Sequence, residues 1–367
     1  MKPVLFVTGH IPAYRAGALA RLHEREQIEL ALFGGRSKHG GADFTGQLPF
    51  EHRHVRPLSL ERLVSSGRYR AVVCPTGGRL APLATWAGAR RAGVPLILWA
   101  SLWAHPRSAA HALSYLPLRR LYRSADAVVT YGPHVSAYVR ARGAHNVQVA
   151  PQAVDNDFWR SSEGGPSAED RQRSQAATRF LFVGRPAPEK GVEVLLDAWR
   201  MSGLGPPAAA LTLAGVASYA GAAGEHGSAG GAQDGVERLG VLSPVELRGL
   251  YAACDALVVP SIPTPTFREP WGLVVNEAMN RGLAVIASDA VGAAAGGLVR
   301  DGHNGLVVAA GDSRALADAM VRLAADAELR RGMGRAGAED VRAYSDDAWA
   351  EGFSRALATV GLSRERW

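Results

Sequence analysis

FLFVGRPAPEKGVEVLLDAW, residues 180–199, has the form of a strand, a glycine turn and a helix. The apolar run 180–183 suits a parallel strand buried on both faces. Gly184 ends the run, and Arg185 and Lys190 flank the start of an amphipathic stretch over 192–200. The same unit recurs in both directions from this point. Toward the N-terminus, apolar runs at 2–8, 28–33, 71–74, 96–99, 127–130 and 147–150 alternate with helix-like stretches such as 18–26, 81–92 and 116–124. Toward the C-terminus, runs at 211–214, 238–241, 256–259, 284–287 and 305–308 alternate with helices expected at 244–254, 273–281 and 315–325. This alternation predicts an α/β fold with two doubly wound parallel sheets in series. The implied division is an N-terminal domain over 1–153, a linker over 154–178 and a C-terminal domain over 179–345. A closing amphipathic helix within 346–367, carrying Trp349 and Phe353, is expected to pack back on the N-terminal domain. Residues 156–178 read as linker and loop, and the Gly/Ala/Ser-rich stretch 216–235 reads as an insertion.

The chain has 367 residues, 47% hydrophobic and 20% charged, which fits two domains with cores of their own. Two cysteines, Cys74 and Cys254, are too few for a disulfide framework or a thiolate metal site. The opening residues lack a secretory leader pattern, and no apolar run reaches the length of a membrane span, so a cytoplasmic setting is expected. Charge is uneven: residues 1–150 carry 20 Lys+Arg against 7 Asp+Glu, and the remainder carries 21 against 27. One reading is a basic N-terminal domain that contacts a membrane surface peripherally or an acidic acceptor. The other is an arginine-rich surface whose scattered guanidiniums are simply solvated. No nucleic-acid partner is expected.

The stretch SIPTPTFREPWGLVVNEAMNRG, residues 261–282, carries the chemistry. A Pro/Thr-rich loop leads to Glu269, and Pro270 suits the first position of a helix expected from about Trp271 to Arg281. The amides of Trp271, Gly272 and Leu273 would then point outward at the positive end of the helix, where an anion binds. Glu277, one to two turns on, is placed to accept hydrogen bonds from ribose hydroxyls, as an acidic residue does in dinucleotide sites. Glu269 would hold hydroxyls of a sugar beside the phosphate-binding amides. The plain alternative makes Glu269 a helix cap and Glu277 an exposed ion-pair partner of Arg281 at i,i+4.

Extended to EPWGLVVNEAMNRGLAVIASDAVG (269–292), the segment resembles the signature of retaining glycosyltransferases of family 4, the glycosyl transferases group 1. Residues 180–199, LTLAG (211–215), RLGVLSPVELRGLYAACDALVVPS (238–261) and GHNGLVV (302–308) are similar to the same family's C-terminal domain. The N-terminal half matches in layout and in PQAVD (151–155), which resembles the hinge segment with Gln152 where Asn is usual. The resemblance implies the GT-B architecture, two Rossmann-like domains facing a central cleft. It implies that Arg185 and Lys190, beside Gly184, bind the donor pyrophosphate in place of a metal ion. It puts the donor base against backbone near Val241 and Leu242. It also implies a histidine touching the donor sugar; His105, after LILWASLWA, is the first candidate and His10 the second, against the alternative of polar loop residues.

One departure concerns HIPAYRAGALARL (10–22), with a single Gly17 where many members have a Gly-Gly pair. Tyr14 and Arg15 either contact donor phosphate or acceptor there, or belong to a helix-capping loop. Asp155 and Asp157 read as a turn and cap, and His52 and His54 are only two ligands, so no metal is expected at either. Trp86, Trp99, Trp103 and Tyr115 read as packing residues, or as acceptor-stacking rings where some face the cleft. No phosphate-loop, paired dinucleotide or serine-elbow motif is present, which removes support for ATP-driven, dehydrogenase and serine-hydrolase chemistry. The expected activity is metal-free transfer of a sugar from a UDP- or GDP-sugar to an acceptor hydroxyl with retained configuration. No cofactor is expected, because the nucleotide-sugar is a co-substrate; the acceptor is a small molecule, a glycan or a lipid-linked sugar. The rivals are a non-catalytic nucleotide-sugar-binding protein and a glycoside hydrolase using Glu269 and Glu277.

Overall fold

The computed structural model describes residues 2–34, 50–78, 80–161, 178–216 and 235–360. The expected insertion, most of the expected linker and the last seven residues lie outside the described residues. The chain forms two compact units, residues 1–155 with 344–367, and residues 156–343.

The first unit is built on a seven-stranded parallel sheet. Its strands are β1 (Val4–Thr8), β2 (Ile28–Leu32), β3 (His52–His54), β4 (Ala71–Pro75), β5 (Leu96–Ala100), β6 (Ala127–Thr130) and β7 (Val147–Val149), in the order β3-β2-β1-β4-β5-β6-β7. Successive side chains of a strand point to opposite faces, and β1 shows this directly. Val4 and Phe6 join one core with the helix Ala16–Glu26, while Leu5 and Val7 join the other with helices Ala81–Ala92 and Ala109–Ser124. The helix Asp346–Thr359 closes the first of these cores: Trp349 and Phe353 are fully buried and meet Phe6 at centroid distances of 6.1 and 5.5 Å.

The second unit carries six parallel strands: β8 (Thr178–Val183), β9 (Ala209–Ala214), β10 (Val236–Leu239), β11 (Ala256–Val259), β12 (Ala284–Ser288) and β13 (Gly305–Val308). Their order is β10-β9-β8-β11-β12-β13, so the winding reverses between β8 and β11. Phe180, Leu211, Val258 and Ile286 pack under the helices Val192–Ser202 and Ser313–Ala325. The segment expected to be loop from residue 156 begins with a short helix, Asn156–Arg160, anchored by the buried Trp159 against Tyr251 at 5.7 Å. The closing turns of the unit form a further helix, Ala327–Asp340.

Candidate active site

In a doubly wound sheet, a ligand crevice opens at the carboxyl ends of the strands where the order reverses. Here that point lies between β8 and β11, and the residues read as chemical in the sequence leave those two strands. The turn 184–191 follows β8, and 260–273 follows β11. The two segments touch: the Ile262 amide donates to the Glu189 carbonyl at 3.0 Å. Gly191 permits that approach. Its φ is +68°, and a Cβ there would stand 2.1 Å from the Pro260 carbonyl oxygen.

The closeness of these loops joins charges far apart in sequence. The Lys190 ammonium donates to the Glu269 carboxylate, which is 8% exposed, and the Ser261 hydroxyl stands 3.5 Å from the same oxygen. Arg185 donates to the carboxylate of Glu189, four residues on, and is partly exposed. Gly184, the residue before Arg185, donates its amide to the Ala214 carbonyl at 3.1 Å. Guanidinium and ammonium groups that pair with carboxylates can pair with phosphate oxygens by the same charge-assisted contacts.

The turn Glu269–Gly272 is held from behind. The amides of Gly292 and Ala293 donate to the carbonyls of Glu269 and Trp271 at 3.1 and 2.7 Å, and a Cβ on Gly292 would meet the Pro270 oxygen at 2.0 Å. Trp271 is buried and gives its indole N–H to the buried Asn276 at 2.7 Å, so its ring is an anchor. The helix expected from Trp271 runs from Val274 to Asn280 instead. Gly272 has φ +89°, outside the helical region, so Pro270 is not a first helical residue and the 271–273 amides belong to a loop entering the helix. Among the described residues, the amides of Gly272 and Leu273 donate to no backbone carbonyl.

Glu277 is half-buried and accepts the Tyr251 hydroxyl at 2.8 Å. Burial pushes its carboxyl up to about 7, and the Tyr251 hydrogen bond opposes this in part. The expected alternative pairing with Arg281 is not the arrangement found: Arg281 turns to the carbonyls of Arg160 and Ser161 at 3.0 and 2.8 Å. Val241 and Leu242 lie on the loop between β10 and the helix Pro244–Ala253, with Val241 88% exposed. Among the described residues, no hydrogen bond or ion pair ties either of them to Glu269 or Glu277.

His105 belongs to the first unit. Its Nε2 faces the His111 carbonyl at 2.9 Å, which can only accept, and its Nδ1 faces the Tyr138 hydroxyl at 3.3 Å. Arg15 points inward. It is 3% exposed, bonded to Gln152 and stacked 5.0 Å from Trp349, whereas Tyr14 is 45% exposed. His52 and His54 are exposed on the edge strand β3. Among the described residues, no three His, Cys, Asp or Glu side chains are grouped so as to hold a metal ion, and no helix is long and apolar enough to cross a membrane. Glu189, Ser261 and Tyr251 escaped the sequence reading. Tyr251 sits 26 positions from its partner, and nothing local in its helix marks it.

A family model for glycosyl transferases group 1 matches residues 177–326, and one for a glycosyl transferase 4-like domain matches residues 5–152. The chain belongs to the group 1 glycosyl transferases. This glycosyltransferase is 30% identical over 304 residues to a D-inositol 3-phosphate glycosyltransferase of Actinosynnema mirum, covering 76% of this chain and 70% of that one. It is 35% identical over 188 residues to a phosphatidyl-myo-inositol mannosyltransferase of Mycobacterium leprae, covering 50% of this chain. The chain spans about half the length of several curated relatives it matches, 47% in the case of the Mycobacterium leprae protein. In structure the glycosyltransferase is similar to HepE of Anabaena, solved in complex with UDP and glucose. The TM-score is 0.71 at 19% identity, with 98% of this chain and 100% of that one covered. Its fold is GT-B, two Rossmann-like parallel-sheet domains.

Proposed function

We propose that this glycosyltransferase moves a sugar from a UDP- or GDP-sugar to an acceptor hydroxyl, with retention at the anomeric carbon and no metal ion. The observation that carries the reading is the pairing of Lys190 with Glu269 across two loops at the reversal of the second sheet. On donor binding, the diphosphate takes over Arg185 and Lys190 and accepts from the loop amides at 271–273. Glu269, released from Lys190, holds hydroxyls of the sugar, and Glu277 accepts from the ribose. The leaving diphosphate carries away the bonding electron pair while these cations neutralise it, the role a divalent ion fills elsewhere. Backbone near Val241 and Leu242 borders the base. Acceptor recognition falls to the first unit, where His105 is the proposed contact to the sugar. HepE, solved with UDP-glucose, supports a uridine donor, and the two inositol-named relatives support an acceptor of polyol or lipid-linked type.

The experiment is a thermal-shift panel of nucleoside diphosphates and their sugars, followed by diphosphate release with and without candidate acceptors. A ligand that binds only the folded state raises its melting temperature according to affinity. Diphosphate release dependent on acceptor and unaffected by EDTA is the expected result. Donor binding with no release under any acceptor would identify a binding protein, and a strict need for manganese would refute the cationic clamp.

A further inference from the structure

The first unit carries a cluster of arginines away from the residues proposed to bind the donor. β4 and β5 are adjacent and parallel, and the helices following them, Ala81–Ala92 and Ala109–Ser124, pack on the same core, so both run in one direction over one face. Residues three and four apart share a helix stripe. On the first helix such a stripe holds Leu83, Trp86 and Arg90; on the second it holds Leu113, Leu116, Arg120 and Arg123. In each case the leucines stand toward the helix start and the arginines toward its end. Leu113 is 82% exposed and Leu116 69%.

At the basic end lies a surface cavity of about 410 Å³, lined by Trp86, Arg90, Arg119, Arg120 and Arg123 together with Leu116. The guanidiniums of Arg90 and Arg120 stand 6.0 and 5.9 Å from the Trp86 ring centroid. Among the described residues, none of these four arginines pairs with a carboxylate, although the neighbouring Arg91 reaches Glu61 at 3.7 Å. The Trp86 indole N–H is buried and, among the described residues, has no acceptor. Clustered guanidiniums repel one another, and a set of phosphate oxygens relieves that repulsion through planar, bidentate contacts. A free phosphate would use the arginines and leave the leucines in water. A phosphate-rich surface with hydrocarbon beneath it uses both, and the basic excess of the N-terminal half draws the unit toward such a surface.

We propose that this face docks on an anionic membrane surface, with lipid phosphates in the Trp86–arginine cavity and Leu113 and Leu116 entering the interface. The proposal does not rest on the donor site. The test is co-sedimentation of the full chain with vesicles of phosphatidylcholine alone and of phosphatidylcholine with phosphatidylglycerol. Wild type is expected to partition onto the anionic vesicles only, and less so as salt is raised. The double variant Arg120→Gln/Arg123→Gln should lose about thirty-fold in partitioning, and Leu113→Ser/Leu116→Ser about ten-fold or more. All four side chains lie on the surface, so the variants should keep the wild-type melting temperature and the wild-type affinity for nucleoside diphosphate. Equal partitioning onto neutral vesicles, or undiminished binding by both variants, would overturn the proposal. So would inorganic phosphate or single-stranded RNA binding through these arginines while anionic vesicles do not.

Discussion

At the scale of single residues, the proposed site is built on carboxylates that already have partners, Glu269 with Lys190 and Glu277 with Tyr251. Glu269 is held by Lys190 and buried, so replacing it removes a sugar contact and leaves an ammonium without its acid. Glu269→Ala should lower kcat by about 10²–10³-fold with a smaller change in KM, measured by steady-state diphosphate release. Lys190→Ala should raise the donor KM and lower kcat together, because the diphosphate is present in both ground and transition states. Glu277 behaves differently. Its carboxyl, raised from 4.5 to about 7, favours the proton in the folded apo protein. Its contribution to apo stability is therefore complete below about 4.5 and is lost as pH rises through about 7. Ribose hydroxyls need the ionised form, so nucleoside-diphosphate affinity should rise between pH 6 and 8 in the wild type. Subtracting the profile of Glu277→Gln removes the ligand's own phosphate titration; calorimetry giving the same slope for both proteins would exclude Glu277 as the ribose acceptor. These two glutamates were legible in the sequence through their spacing and their resemblance to a signature. Tyr251, which donates to Glu277, was not, because a hydrogen bond between two separate helices leaves no local pattern.

At the scale of elements, loops make the site and helices only carry it. Gly191 lets the β8 turn lie against Pro260, and Gly292 does the same for the Glu269 turn. Gly191→Ala combines a left-handed φ with a collision at 2.1 Å, so it should cost about 1–3 kcal/mol in urea unfolding. It should also weaken nucleoside-diphosphate binding by moving Lys190 off Glu269. Most strands were readable because apolar runs between glycines have few other uses. Elements that escaped are those whose pattern conflicts with their state. Ala327–Asp340 holds Gly332, Gly334 and Gly337, a poor helix composition. Two of those glycines are there for closeness: a Cβ at 334 would strike the Gly282 carbonyl at 2.0 Å, and one at 337 would stand 3.2 Å from Met279. Ala109–Ser124 passes through Pro117 and starts at the cap Ser108, well before the helix-like stretch 116–124. β3 is three residues on an edge, exposed and rich in histidine, with no apolar run to show it. The same cause displaced the helix expected at Trp271, where a positive-φ glycine separates Pro270 from the first helical turn.

At the scale of the whole molecule, the first unit is not continuous in sequence. Its core takes Phe6 and Trp99 from the sheet and Trp349 and Phe353 from the far end of the chain, with Trp99 and Trp349 rings 5.8 Å apart. Trp349→Ala should destabilise this unit by about 3–5 kcal/mol. Nucleoside-diphosphate binding, which we propose for the second unit, should then survive under conditions where the first has melted; loss of both together would show that the second unit cannot stand alone. The discontinuity also orders events at the ribosome. Residues 1–155 emerge with one face of their sheet covered only in part by the helix Ala16–Glu26, and the rest of the cover arrives only after the whole of 156–343 has been made. At about 5–20 residues per second that delay is on the order of 10–40 s. The unit begun first is thus the unit finished last, and a nascent chain halted before Trp349 should be cut by protease within 1–155 while residues 156–343 already resist.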